Sequence, residues 1–253
     1  MIEAKKYDNK FYSQMELSSF RAAQIILPIV AEILKPKSVI DIGCGTGMWL
    51  KVWNEEMGVK DYLGVEGPYL EKEKIQVHSD NILLTDLKED FKIDRKFDLA
   101  MSLEVAEHLP ESVAEQFVKK LTTLSNVVLF SGAIPGQVGT YHINEQYPEY
   151  WIAHFRNAGY TVFDFVRDKV WNHPDIEFWY QQNIFLFVKT SVTQDYPLLQ
   201  QYISSCSLQS YTRIHPIIYN LKLNHEKNTE TFWSFINWKW YCFKTKYLKK
   251  NVN

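Results

Sequence analysis

Apolar and polar positions fall in blocks along this chain. Short β-branched runs, several closed by glycine or an acid, are separated by segments with apolar residues at helical spacing. Phe11–Leu34 reads as a helix: Ser13 with Glu16 fits a capping box at its start, and Pro28 kinks or divides it. Lys35-Pro36-Lys37 breaks it. A buried strand follows, in which Val39, Ile40 and Ile42 suit a sheet covered on both faces. The same reading places a helix at Met48–Met57 and strands at Asp61–Val65 and within Ile75–Leu84. A strand at Phe97–Leu103, a helix at Glu111–Leu124 and a strand at Asn126–Phe130 come next. Then follow a helix at Pro148–Ala158, a strand at Tyr160–Arg167, an aromatic loop at Trp171–Gln182 and a last strand at Asn183–Lys189. Strands alternating with helices predict an α/β, Rossmann-like domain with a mostly parallel sheet and helices on both faces.

The first strand runs into S-V-I-D-I-G-C-G-T-G-M-W-L at Ser38–Leu50. Gly43, Gly45 and Gly47 alternate, and glycine lets a ligand lie against the backbone. Asp41 points its carboxylate to the carboxyl edge of the sheet, where open α/β sheets bind ligands. The turn is not the dinucleotide fingerprint G-x-G-x-x-G, because Met48 stands where the third glycine is needed. No Gly-Lys-Ser/Thr of a P-loop is present. Glu66 follows Gly47 by 19 residues at the tip of the second strand, the place of a carboxylate that holds a ribose diol. Asp86-Leu87 follows the apolar run Ile82–Leu84 and suits an adenine amino group, with Asp80 as the fallback.

Length and composition narrow the class. The 253 residues suffice for one large domain with a core. Net charge is −2, and no basic stripe crosses the core, so a nucleic-acid partner is not expected. Cys44, Cys206 and Cys242 are far apart and odd in number, which fits a reducing, cytoplasmic setting and no disulfide framework. Met1–Lys10 has no apolar signal region, and the apolar stretch Ile25–Leu34 is short for a bilayer span.

The pattern D-x-G-x-G-x-G after a β-run resembles motif I of class I S-adenosylmethionine (SAM)-dependent methyltransferases. Glu66, Asp86-Leu87, L-E-V-A-E-H-L at 103–109, I-P-G-Q-V-G-T-Y-H-I-N-E-Q-Y-P-E-Y-W at 134–151 and W-Y-Q-Q-N at 179–183 extend the resemblance. It is to a bacterial group of these enzymes that often accompanies glycan or natural-product genes, and it covers about Tyr7–Lys189. The resemblance implies a seven-stranded sheet whose last strand is antiparallel. It implies that Asp41, Gly43, Gly45, Gly47, Glu66, Asp86 and Leu87 bind SAM, with Glu104 and Val105 at the methionine end. The product would be S-adenosylhomocysteine (SAH).

Methyl transfer to a hydroxyl needs alignment and removal of a proton, and histidine suits the second task. His142, in the polar loop after the fifth strand, is the first choice, and His108 the second. Gln137, Asn144 and Glu145 could hold a polyhydroxyl acceptor such as a sugar, or satisfy loop backbone. An amine acceptor would need the same alignment. An alternative follows from Glu104, Glu107, His108 and His142, which resemble the metal-ligand set of small-RNA 3′-end ribose 2′-O-methyltransferases. That family's further histidine-rich motif is absent, and no metal is expected. A SAM-binding but non-catalytic partner subunit is the other alternative.

The methyltransferase domain is expected over 1–190 and a helical extension over 191–253. Phe232–Asn253 carries five lysines and no acid among its aromatics. It reads as an amphipathic helix covering its own domain or a homodimer partner, or seated at a membrane surface.

Overall fold

The computed structural model describes residues 9–137, 139–202, 210–220 and 222, with side chains from residue 17 onward. A first compact unit runs to Arg213, and a second comprises Ile214–Asn253. The second unit's described part is a short helix at 216–220. The amphipathic helix expected at 232–253 lies outside the described residues, as do 203–209 within the predicted extension.

In the first unit, seven strands form one sheet: β1 (Ser38–Ile42), β2 (Asp61–Glu66), β3 (Ile82–Leu84), β4 (Leu99–Leu103), β5 (Val127–Ser131), β6 (Tyr160–Phe163) and β7 (Phe185–Lys189). Their order is β3-β2-β1-β4-β5-β7-β6. Neighbours pair in parallel except β7, which runs antiparallel to both β5 and β6. This is the Rossmann-like sheet with an inserted antiparallel last strand that the resemblance implied.

The period of two decides which helices cover which face. Val39, Leu99, Leu129 and Leu186 turn to one apolar cluster, and Ile40, Ala100, Phe130 and Phe187 to the other. The first cluster takes α1 (Asn9–Leu34), α2 (Met48–Glu55), α5 (Val166–Val170) and α6 (Phe178–Asn183); the second takes α3 (Ala114–Leu124) and α4 (Pro148–Asn157). On the second face Phe155 stacks on Phe187 at 3.8 Å between ring centroids. On the first, the Trp53 indole N–H donates to Met101 Sδ at 3.3 Å.

Several expectations shift. Pro28 sits inside α1 without dividing it. The window Leu17–Leu34 has a mean hydropathy of 1.5 and is long enough to cross a membrane, contrary to the sequence reading of a shorter stretch. Its Ala22, Ala23, Ile26, Leu27 and Val30 are fully buried in the core and make up 28% of the window. The strand expected at Tyr160–Arg167 stops at Phe163, and α5 begins at Val166. There Arg167 is fully buried, paired with Asp164 and bonded to the Gln182 and Tyr211 carbonyls. The aromatic loop contains α6, which the sequence reading missed. The compact unit also passes residue 190: the Glu149 carboxylate accepts from the Tyr211 and Thr212 amides at 2.8 and 2.9 Å.

Candidate active site

β1 and β4 are adjacent, with their connections leaving to opposite sides. Their carboxyl ends therefore open the crevice where such sheets take ligands. A cavity of about 510 Å³ lies there, within the size range of small-molecule sites.

The glycine turn forms its floor. Gly43, Gly45 and Gly47 have φ of 82°, 55° and 89°, the left-handed region that side chains avoid. A Cβ on Gly43 would come within 2.4 Å of a Val105 methyl, so the turn and the end of β4 touch. Gly47 caps α2. Asp41, on β1 beside Gly64 and Met101, is 3% exposed and reaches the cavity. Burial, and then the Glu66 charge, push its carboxyl up to about 8.

Glu66 ends β2, buried and on the cavity wall. Its Oε2 accepts the Gly45 amide at 2.6 Å, which ties the strand tip to the glycine turn. Its Oε1 accepts the Gly67 amide at 2.7 Å and the Tyr69 hydroxyl at 2.5 Å. Tyr69 was not among the sequence candidates. Asp86 and Leu87 line the cavity, and Asp86 accepts the Lys88 amide at 3.0 Å. Asp80, the fallback, is exposed beside His78 and is not on the wall.

Glu104 follows β4 with φ of 55°, a strained setting for a side chain that its neighbours fix. Its amide donates to Ser131 Oγ at 3.0 Å. Its carboxylate accepts from Gln137 Nε2 at 2.7 Å and from Asn183 Nδ2 at 3.1 Å. Burial raises the Glu104 carboxyl, against the lowering effect of these donors. Three residues on, Glu107 is buried more deeply, at 1% exposed against a half-buried Glu104. Neither of its carboxylate oxygens has a side-chain hydrogen-bond partner among the described residues, and only backbone amides, of Glu107 and Ala133, oppose the rise of its carboxyl. Burial, and then the Glu104 charge, hold its carboxyl well above the usual range.

The loop after β5 brings the histidines to the wall. His142 Nδ1 lies 2.8 Å from Glu145 Oε1, and Glu145 Oε2 accepts the Gly136 amide at 2.7 Å. His142 Nε2 faces Glu107 Oε1 at 4.0 Å. The His108 ring meets His142 edge-on at 4.9 Å, and its Nδ1 is 3.4 Å from the Tyr141 carbonyl. One ligand atom each from Glu107, His108 and His142 fall within 4.8 Å of one another, so these three could hold a cation.

Of the residues read as acceptor contacts, only Gln137 reaches the wall, and both ends of its amide are used, by Glu104 and Asn183. Asn144 is buried off the wall, where its Oδ1 accepts from Gln146. Glu145 serves His142. Arg21 is exposed and off the wall, and the Tyr12 side chain lies outside the described residues. Ser19, Trp49, Trp179 and Tyr180 form an aromatic wall that the sequence reading did not assemble. Trp49 and Tyr180 meet edge-on at 5.3 Å, and the Tyr180 and Ser19 hydroxyls lie 3.3 Å apart. The run W-Y-Q-Q-N carried the signal, but not its helical form.

These features suit SAM. The floor's glycines hold a backbone conformation that side chains avoid, a buried carboxylate stands at the tip of β2, and a second acid lies just after β3.

A family model described as a methyltransferase domain matches residues 15–166. No curated protein matches the chain. Among solved structures, the methyltransferase domain of bacterial CtHen1 is 20% identical, with a TM-score of 0.50 over 66% of this chain and 98% of that one. DesVI of Streptomyces venezuelae is 16% identical, with a TM-score of 0.51 over 74% and 98%. A chain from the complex of the Haloferax volcanii Trm112 methyltransferase activator with a methyltransferase is 14% identical. Its TM-score is 0.53, over 74% and 96%. At these identities the likenesses speak to the fold. The family match spans more than half the chain, and it agrees with the glycine-floored cavity: the chain belongs to the methyltransferase domain family and is a SAM-dependent class I methyltransferase.

Proposed function

We propose that this methyltransferase O-methylates a small hydroxylated acceptor, such as a sugar in a glycan or natural-product precursor, with His142 as general base. The observation that carries the reading is His142 on the cavity wall with its Nδ1 paired to Glu145. A proton on Nδ1 shared with the Glu145 carboxylate leaves Nε2 as the lone pair of the neutral ring. Nε2 takes the acceptor's hydroxyl proton, and Glu145 balances the charge the ring gains. Asp41, Gly43, Gly45, Gly47, Glu66, Asp86 and Leu87 hold SAM, and Glu104 with Val105 borders its methionine end. Bound SAM supplies a methyl group on a sulfonium, a good leaving group, so the protein's part is alignment, water exclusion and proton removal. The wall of Trp49, Trp179 and Tyr180 serves the first two and gives a sugar ring apolar faces to lie on.

A screen of SAH release against sugars, small alcohols and amines tests this. Release with a hydroxylated acceptor, reduced about a hundredfold in His142→Ala, is expected. Release with amines alone, or full activity in the variant, overturns it.

One observation favours a second reading. Glu107 is a buried carboxylate with no side-chain hydrogen-bond partner among the described residues, beside two imidazoles. A divalent cation there would satisfy it and lower the pKa of a ribose hydroxyl, as in a 2′-O-methyltransferase acting on RNA. Activity abolished by chelator and restored by Mg²⁺ or Mn²⁺ would favour this reading over the first.

A further inference from the structure

Three buried amides stand at and behind the cavity wall, Gln137 on it and Gln182 and Asn183 off it. Gln182 Nε2 donates to Asn183 Oδ1 at 2.9 Å. Asn183 Nδ2 donates to Gln137 Oε1 at 2.7 Å and to Glu104 Oε1 at 3.1 Å. Gln137 Nε2 donates to Glu104 Oε2 at 2.7 Å. Every link points its donor toward the Glu104 carboxylate. The segments come from the end of α6, the loop after β5 and the end of β4, so the network exists only in the folded chain. Gln182, Asn183 and Gln137 are 0, 2 and 6% exposed. Such a chain of amides fixes geometry, because each carboxamide nitrogen is committed to a neighbouring buried oxygen.

Glu107 supplies the contrast. It lies three residues away, more deeply buried than the half-buried Glu104, and has no side-chain donor among the described residues. Burial alone therefore does not bring donors to a carboxylate in this site; the amides are specific to Glu104. The two amides donate to both of its oxygens, and a carboxylate with about four acceptor sites keeps capacity toward the cavity that Glu104 lines. The next residue, Val105, packs against Gly43 of the cofactor turn. At its amino-acid end SAM carries an ammonium group, the natural complement of an oriented, buried carboxylate.

We propose that Asn183 and Gln137 are positioning residues, which hold Glu104 so that its free edge takes the ammonium group of the cofactor. The proposal rests on the reading of Glu104 as bordering the methionine end of SAM. Asn183 acts through Glu104 and touches no cofactor itself. The helix that contributes Trp179 and Tyr180 to the wall thereby also sets the cofactor's anchor.

A double-mutant cycle tests it, with SAH as the probe and calorimetry on the full chain as the readout. Glu104→Gln is expected to weaken SAH about tenfold, and Asn183→Leu by a similar factor, with unchanged circular dichroism. In the Glu104→Gln background Asn183→Leu should add less than twofold, because its only route is already cut. Factors that multiply in the double variant show a general packing role and overturn the proposal. If Asn183→Leu does not fold, Gln137→Met replaces it in the same cycle. If Glu104→Gln leaves SAH affinity unchanged, Glu104 is no cofactor contact, and the reading beneath the proposal falls with it. A tenfold loss in Glu104→Gln with no loss in the amide variants leaves that reading standing and overturns the positioning role alone.

Discussion

His142 Nδ1 lies 2.8 Å from Glu145 Oε1, and that one contact assigns the ring its orientation. Three residues apart in a loop, the two are the base and orienting acid of the proposed reaction, with Gly136 N–H donating to the acid. His142→Ala should lower turnover about a hundredfold, and Glu145→Gln about tenfold, because a glutamine can present its amide to the ring and turn it. SAH affinity should stay within about twofold in both, by calorimetry, since neither is read as a cofactor contact. A large loss of SAH binding in either variant would move the loop to the cofactor side.

Gly139 touches the other side of the same ring. A Cβ there would come within 2.1 Å of His142 Nε2. Because Glu145 pins the ring, it cannot swing away freely. Gly139→Ala should therefore reduce kcat at least tenfold while leaving SAH affinity and unfolding temperature nearly unchanged. Activity equal to wild type would show that the ring has room to move without consequence.

Gly43 is constrained twice, by its φ of 82° and by Val105 against the position of its missing Cβ. Gly43→Ala must strain the backbone and push Val105 into the cavity. A loss of SAH affinity of tenfold or more, together with a lower unfolding temperature, is expected. Calorimetry and thermal unfolding read the two effects separately.

Asp41 gives a pH dependence with a definite sign. Burial, with a smaller push from the Glu66 charge, moves its carboxyl from 3.8 to about 8 in the folded chain. The native state thus holds a proton that the unfolded chain has released. That contribution to stability is full below the unfolded pKa and is lost as pH rises through about 8. Asp41→Asn removes the dependence. The stability of the variant relative to wild type should grow between about pH 5 and about pH 8, by up to ~1.4 kcal/mol per unit. Urea unfolding at several pH values measures it, and a constant difference would contradict the assignment.

Glu107, His108 and His142 make a chelator experiment decisive between the two readings of the acceptor side. With His142 as the base, turnover should be indifferent to chelator. Abolition by chelator, with recovery on adding Mn²⁺, would transfer proton removal to a cation.

Much of this architecture was legible because it rests on local rules. The glycine turn and Glu66 are fixed by strand ends and by backbone that only glycine adopts, so their spacing survives in one dimension. His142 beside Glu145 was visible as two polar residues in one loop, but their pairing was not, because three-residue spacing outside a helix sets no geometry. Tyr69 and Asn183 were missed for a different reason. Each acts through a carboxylate, and for Asn183 that carboxylate lies 79 residues away in sequence. The helix Phe178–Asn183 was hidden by its aromatic content, which reads as loop or strand until packing against Trp49 and Ser19 decides it.

The most direct test of a SAM site built on the glycine turn and Glu66 is calorimetric titration of SAH into the wild-type chain and into Glu66→Ala. One-site binding with a micromolar Kd in the first, weakened at least about tenfold in the second, is the result expected. Folded wild-type protein that takes up no SAH would contradict the account at its base, and equal affinity in the two proteins would remove Glu66 from the cofactor site.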